Sequence, residues 1–378
     1  MLVYLRAASV EPYRIFFPLG IFYLLYGILL WLPQIWNSGD YPVTLHRYLM
    51  VNGFTASFIG GFLMTAVPKF SKTGPARGAE VFTYFFITLF GMFIAHTNRN
   101  EWTLYFSASQ ALVILFFLFS RIFKRKENPP YSFVFIFVGL FLWLFSAIAS
   151  ILLDQESFKF IYYEGALAAI ILGVGSRLIP DILGHVEVVS AQRALYEPPK
   201  PILATVPWHF YFLIMAFVGS YFLNYPVVEL GRAFVVLIIS VGYFKLHKLP
   251  KVKTALTYSV WIASWPILLS FLLRGVWYEG GIHAAHSFFI NGIVLMSLLI
   301  ATRVLQSHGP NDKELENWKG LYVVTGIIMF AAATRVTAYL MPHSYLSHLG
   351  YSSLLLTFAV CIWAIKYIKF SATYPKSY

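Results

Sequence analysis

The chain has 378 residues, of which 59% are hydrophobic and only 12% charged, with a formal net charge of +12. Soluble domains carry about 25% charged residues, so this composition excludes a water-soluble globular protein and describes an all-α integral membrane protein. In that setting the positive balance calls for no nucleic-acid partner, only the lipid bilayer. The single cysteine, Cys361, excludes an internal disulfide and a cysteine-ligated metal.

Apolar runs able to span the bilayer lie near 15–36, 46–67, 80–97, 102–123, 131–153, 161–184, 206–224, 227–246, 255–274, 281–307, 318–341 and 348–370. They predict twelve transmembrane helices in one integral membrane domain, 1–378. The first run is too long for a signal-peptide core and lacks a small-residue cleavage site, so it reads as a retained helix. Linkers are short. The longest, 185–205, carries Glu197-Pro198-Pro199-Lys200-Pro201 and reads as an ordered surface loop. Only Tyr225-Pro226 parts the seventh run from the eighth, so that boundary is soft.

Orientation follows from the loop cations. One set of alternate loops holds Lys69, Lys72 and Arg77; Arg121, Lys124, Arg125 and Lys126; Arg193 and Lys200; Lys245, Lys248, Lys251 and Lys253; and Lys313 and Lys319. Arg6 and Arg14 at one terminus and Lys366, Lys369 and Lys376 at the other belong with them. The opposite loops and helix ends hold only Arg47, Arg99, Lys159, Arg232 and Arg274. Both termini are therefore expected in the cytoplasm.

This topology sorts the histidines. His46, His96, His283, His286, His343 and His348 fall on the outer side; His185, His209, His247 and His308 fall on the inner side. Imidazole suits haem iron, copper and zinc. No acidic residue lies deep in a span, and Glu164 is near an outer helix end, which argues against carboxylate-rich metal chemistry. The tenth run is the most informative. His286 and Arg303 lie roughly 25 Å apart along a helix, nearly a full hydrocarbon core. His283 and His286, three residues apart, share a helix face. They admit two readings: ligands of one site, or interfacial imidazoles wetted by headgroups.

Three arginines fall within spans, where a charge normally faces a cavity or a partner. Arg177 and Arg303 sit near inner helix ends, where snorkelling accounts for them. Arg335 lies in the outer half of its helix and is the best placed to hold an anionic group. Small residues, Gly53, Ala56, Gly60 and Gly61 in the second run and Gly165, Ala169, Gly173 and Gly175 in the sixth, allow close helix contacts.

Four segments resemble the NnrS family, haem- and copper-containing membrane proteins of the nitric-oxide response. Gly60-Gly61-Phe62-Leu63-Met64-Thr65-Ala66-Val67-Pro68 matches the end of the family's second helix, and Gly175-Ser176-Arg177-Leu178-Ile179-Pro180 is similar to its Gly-Arg-x-Ile-Pro. His286 through Arg303-Val304-Leu305 to His308-Gly309 matches in spacing, and Thr334-Arg335-Val336 is similar to a late family arginine. The family's second helix opens on His-Ala-His-Glu. Here His46 is retained, but Tyr48 and Leu49 replace the second histidine and the glutamate.

The resemblance implies a bacterial inner-membrane protein that binds haem b, with copper as a further metal, in the response to nitric oxide. His46 and His286 match family positions and are the expected axial ligands on opposite haem faces; no Cys-x-x-Cys-His is present to attach the haem covalently. His283, one turn outward, is expected to bind a second metal or exchange with His286. Each ligand's second nitrogen wants an acceptor, a carbonyl or Tyr48. Arg335 is expected to hold a propionate. Arg303 and His308 are kept as cofactor-side candidates at the inner end. The expected ligand is a small gas such as nitric oxide; a membrane quinol or other electron donor is unmarked. Turnover and mere binding both remain open, as does an assembly factor that holds haem or copper for delivery. A secondary transporter fits the helix count equally, but the apolar midplane counts against it.

Overall fold

The structure, a computed structural model, describes residues 7–97, 100–153, 156–186, 201–223, 225–308 and 313–372. Arg6, Arg99, Arg193, Lys200, Gly309, Lys376 and most of the 185–205 loop lie outside the described residues. All regular elements described are helical.

Among the described residues ten helices are long and apolar enough to cross a membrane: α1 Tyr13–Trp36, α2 Val43–Ser71, α3 Gly78–Ala95, α4 Glu101–Ile122, α5 Phe133–Leu153, α6 Phe158–Ile182, α9 Ala255–Val276, α10 Tyr278–His308, α11 Gly320–Leu340 and α12 Pro342–Ser371. Between α6 and α9 stand two shorter apolar helices, α7 Trp208–Phe222 and α8 Pro226–Gly242. They occupy the seventh and eighth expected spans. At 1.5 Å per residue they reach roughly 22–26 Å, short of a full hydrocarbon core. The break between them is a true one: Leu223 is extended, and Pro226 opens α8 at the position where its missing N–H costs nothing.

Three helices form the centre. In their most apolar windows 83% of α2, 78% of α10 and 67% of α6 is buried within the protein, against 28% for α3 and 33% for α12. Glycine lets the neighbours close in. A Cβ at Gly53 would strike the Tyr23 ring of α1, and one at Gly139 of α5 would lie 2.6 Å from the Ala166 carbonyl of α6.

The same three helices share a local irregularity. Leu49–Thr55 in α2, Ile161–Ala166 in α6 and Phe288–Leu295 in α10 run as π-helix. Each segment contains an amide or acid followed by glycine: Asn52-Gly53, Glu164-Gly165 and Asn291-Gly292. A π turn wedges an extra residue into the α register and rotates the face before it against the face after it. All three π turns contribute residues to the wall of one cavity, among them Met50, Tyr163 and Ile293.

Two polar clusters brace the ends of the bundle. At the end where α2, α6 and α10 begin, Arg232 of α8 bonds Glu229 (2.7 Å), Glu164 (3.3 Å) and the Ser220 hydroxyl (2.9 Å), all buried. Arg274 of α9 joins through Glu229 (3.2 Å) and donates to the Gly281 carbonyl (2.8 Å) at the start of α10. At the opposite end Glu11 binds Arg14 (2.7 Å) and His308 (2.9 Å), while Arg14 donates to the Ser371 carbonyl (3.1 Å). This second cluster ties the first turn of α1 to the last turns of α10 and α12.

Candidate functional site

A cavity of about 580 Å³ opens among α1, α2, α6, α10, α11 and α12 at the end where α2, α6 and α10 begin. It is of the size of pockets that enclose a whole cofactor. Its wall is apolar, built from residues such as Met50, Phe160, Leu167, Phe289, Ile293 and Leu356. Set into that wall are two imidazoles and three cations: His46, His286, Arg47, Lys159 and Arg335. Among the described residues no carboxylate lines it.

The imidazoles arrive from different helices with one geometry. His46 Nδ1 lies 2.9 Å from the Gly27 carbonyl of α1, and His286 Nδ1 lies 2.7 Å from the Ile282 carbonyl one turn back on α10. A carbonyl can only accept, so each Nδ1 carries the proton and each Nε2 keeps its lone pair. This is the tautomer a metal-binding histidine needs. Aromatic edges hold the ring planes: Trp31 stands at 84° to His46, and Phe289 at 78° to His286.

Arg335 is the unusual member. Its Nη1 donates to Nδ1 of His283 (2.9 Å), a neutral partner, and among the described residues no carboxylate pairs with it. His283 is held in turn against the rings of Tyr339 and Tyr345. A guanidinium in a span without a counter-charge is an expensive arrangement, and it is relieved by an anion entering the cavity. Arg47 lies over the Tyr163 ring at 5.7 Å, also on the cavity wall. Tyr41 and Tyr345 also line the cavity, their hydroxyls 3.0 Å apart.

The structure thus brings His46, His286 and Arg335 to one cavity. The other expected residues stand elsewhere. His283 does not line the cavity and serves Arg335. Tyr48 is buried, and its hydroxyl points at Gly91 of α3; the Gly27 carbonyl is the acceptor that His46 uses. Arg303 bonds Glu316 (2.6 Å), and His308 bonds Glu11, both at the far end of α10. His96 uses both its nitrogens, on Met92 and Tyr26.

In the sequence alone Arg47 and Lys159 read as cations of the opposite loops and helix ends. A signal was present: both are exceptions to the charge split, and so are Arg232 and Arg274, which form the buried cluster beside the cavity.

The donor set discriminates between metals. Among the described residues no three His, Cys, Asp or Glu side chains gather to hold an ion. A copper ion held by His46 and His286 would need a further donor, such as the Met50 thioether that lines the same cavity. A haem brings four nitrogens of its own and asks the protein for only one or two imidazoles, an apolar wall and cations for its propionates. The cavity offers all three.

Comparison with known proteins gives two findings. A family model described as NnrS protein matches residues 8–373, nearly the whole chain. No curated protein matches it.

Proposed function

From the premise that the chain belongs to the NnrS family, we propose that it is a haem-binding, multi-pass membrane protein that meets nitric oxide or a related small gas at its 580 Å³ cavity. One observation carries the reading: Arg335, paired only with a neutral imidazole, shares an apolar cavity with two histidines whose Nε2 lone pairs are free to bind. His46 and His286 would hold a b-type haem through Nε2, and Arg335, Arg47 and Lys159 would hold its propionates. When bound, the haem would supply an iron that can coordinate a diatomic gas in place of one of the two imidazoles. The residues supply orientation, a fixed tautomer and exclusion of water. With the cation-rich ends of the helices in the cytoplasm, the cavity would face outward from a bacterial inner membrane, with α7 and α8 completing twelve spans. A quinol or another donor would be needed for turnover.

The test is spectroscopic. Protein purified from haem-replete cells should show a Soret band and one b-type haem per chain. A colourless, iron-free protein would defeat the proposal and favour the transporter reading. Haem that leaves readily to an apo-acceptor, without any reaction with nitric oxide, would favour the assembly factor.

A further inference from the structure

Beyond the floor of the site cavity lies a second, smaller one of about 90 Å³. None of the residues proposed to hold the haem touches it. Three residues line both cavities: Thr55 of α2, Leu167 of α6 and Ile293 of α10. Each sits within a π turn or at its end. From this shared wall the second cavity runs on between the same three helices to Phe62, Ile179 and Ala301. Phe160 at the top of the first cavity and Ile179 at the bottom of the second lie roughly 28 Å apart along α6, most of the hydrocarbon thickness.

The second cavity has one chemistry. No charged side chain lines it, and its hydroxyls are those of Thr55 and Ser297. The Thr55 hydroxyl is already committed, donating to the Met50 carbonyl at 2.8 Å. Water needs two to four polar partners to stay in a cavity, so this one is dry; dry apolar cavities of about 150 Å³ take up benzene or xenon. A cavity smaller than that suits a single atom or a diatomic molecule. Pockets that enclose drug-sized ligands run to about 300–1,000 Å³; this one is a half-open cleft of about 90 Å³, so a quinone ring is not enclosed here. Ions are excluded by the cost of leaving water.

We propose that the second cavity is a binding site for a small, uncharged, apolar molecule of diatomic size, which passes from it into the site cavity between Thr55, Leu167 and Ile293. The identity of what receives the molecule rests on the haem reading above; the site itself does not. A charged or hydrogen-bonding substrate would have to enter the site cavity itself, on the side of its cations and tyrosines. An apolar gas, already concentrated in the bilayer, has this second route.

The probe is xenon. Protein crystals under xenon pressure should hold a xenon atom between Phe58, Ile171 and Met296, whether or not haem is bound. Ser297→Leu fills the cavity and should remove that xenon while leaving the haem spectrum unchanged. Ile293→Ala opens the shared wall and should keep it. In haem-loaded protein, rebinding of carbon monoxide after flash photolysis should be several-fold slower in Ser297→Leu and faster in Ile293→Ala. Absence of xenon from the native cavity overturns the site. Xenon bound, with carbon monoxide rebinding at the native rate in both variants, overturns the route. Xenon bound in a protein that carries no haem refutes the haem reading and leaves the site standing.

Discussion

His46 and His286 each commit Nδ1 to a main-chain carbonyl, so the nitrogen left to bind is determined by the backbone rather than by the metal. His46→Ala or His286→Ala should strip the haem or leave it five-coordinate, whereas His209→Ala, whose imidazole bonds Tyr243 on another helix pair, should not. Optical and paramagnetic resonance spectra read the difference, and intact six-coordinate spectra in both outer variants would refute the ligand assignment. Arg335→Gln keeps the hydrogen-bonding shape but removes the charge, and should lower the haem reduction potential or weaken its retention. His283→Ala removes the acceptor that orients the guanidinium, so it should shift the potential in the same direction while keeping both axial ligands. A potential that moves in neither variant would assign Arg335 to packing.

At the scale of elements, the start of α10 is placed from outside by charge. Arg274 grips the Gly281 carbonyl, Glu229 links Arg274 to Arg232, and Arg232 reaches Glu164 on α6. Removing one partner of such a buried network leaves carboxylates without compensation, which costs about 3–5 kcal/mol. Arg232→Met should therefore lower the thermal unfolding midpoint in nanodiscs markedly, and more than Arg303→Met, whose pair with Glu316 is 39% exposed on the arginine side. Equal effects would show that the network is not a brace. The π turns share a sequence pattern. Asn52-Gly53 and Glu164-Gly165 are each followed, sixteen residues after the amide or acid, by Pro68 and Pro180, and Asn291-Gly292 repeats the dipeptide in α10. That internal repeat is visible in the chain, but that the three sites face one another is not.

On the scale of the whole molecule, the cluster at the far end joins α1, α2, α10 and α12 through Glu11. Burial pushes the Glu11 carboxyl up, but its bonds to His308 and Arg14 outweigh that and hold it below the ordinary value of 4.5. A depressed carboxyl stabilises the fold above its unfolded pKa and loses that contribution as pH falls through the folded one. Stability should thus be insensitive to Glu11 near neutral pH and fall below about 4.5. Glu11→Gln should flatten that acid limb in a pH series of unfolding midpoints. An unchanged limb would mean that the cluster does not hold the helix ends. The orientation is tested separately: reporter fusions within 121–130 and within 247–253 should be cytoplasmic, and one within 37–41 external. Any reversal would put the cavity on the other side of the membrane.

The membrane class and the places of the helices follow from the sequence alone, because hydropathy and charge along a chain are local properties and set where helices cross; His46 and His286 stand out only through the family resemblance, and Arg335 through its place within a span. Which side chains meet depends on the rotation of each helix about its own axis. That rotation is set by π turns and by glycine contacts with other helices, as Gly53 has with Tyr23, and these are long-range. Only the tertiary structure could therefore turn Tyr48 away to Gly91, give His283 to Arg335, bring Arg47 and Lys159 to the cavity, and leave between α2, α6 and α10 the dry space that no pattern in the chain announces.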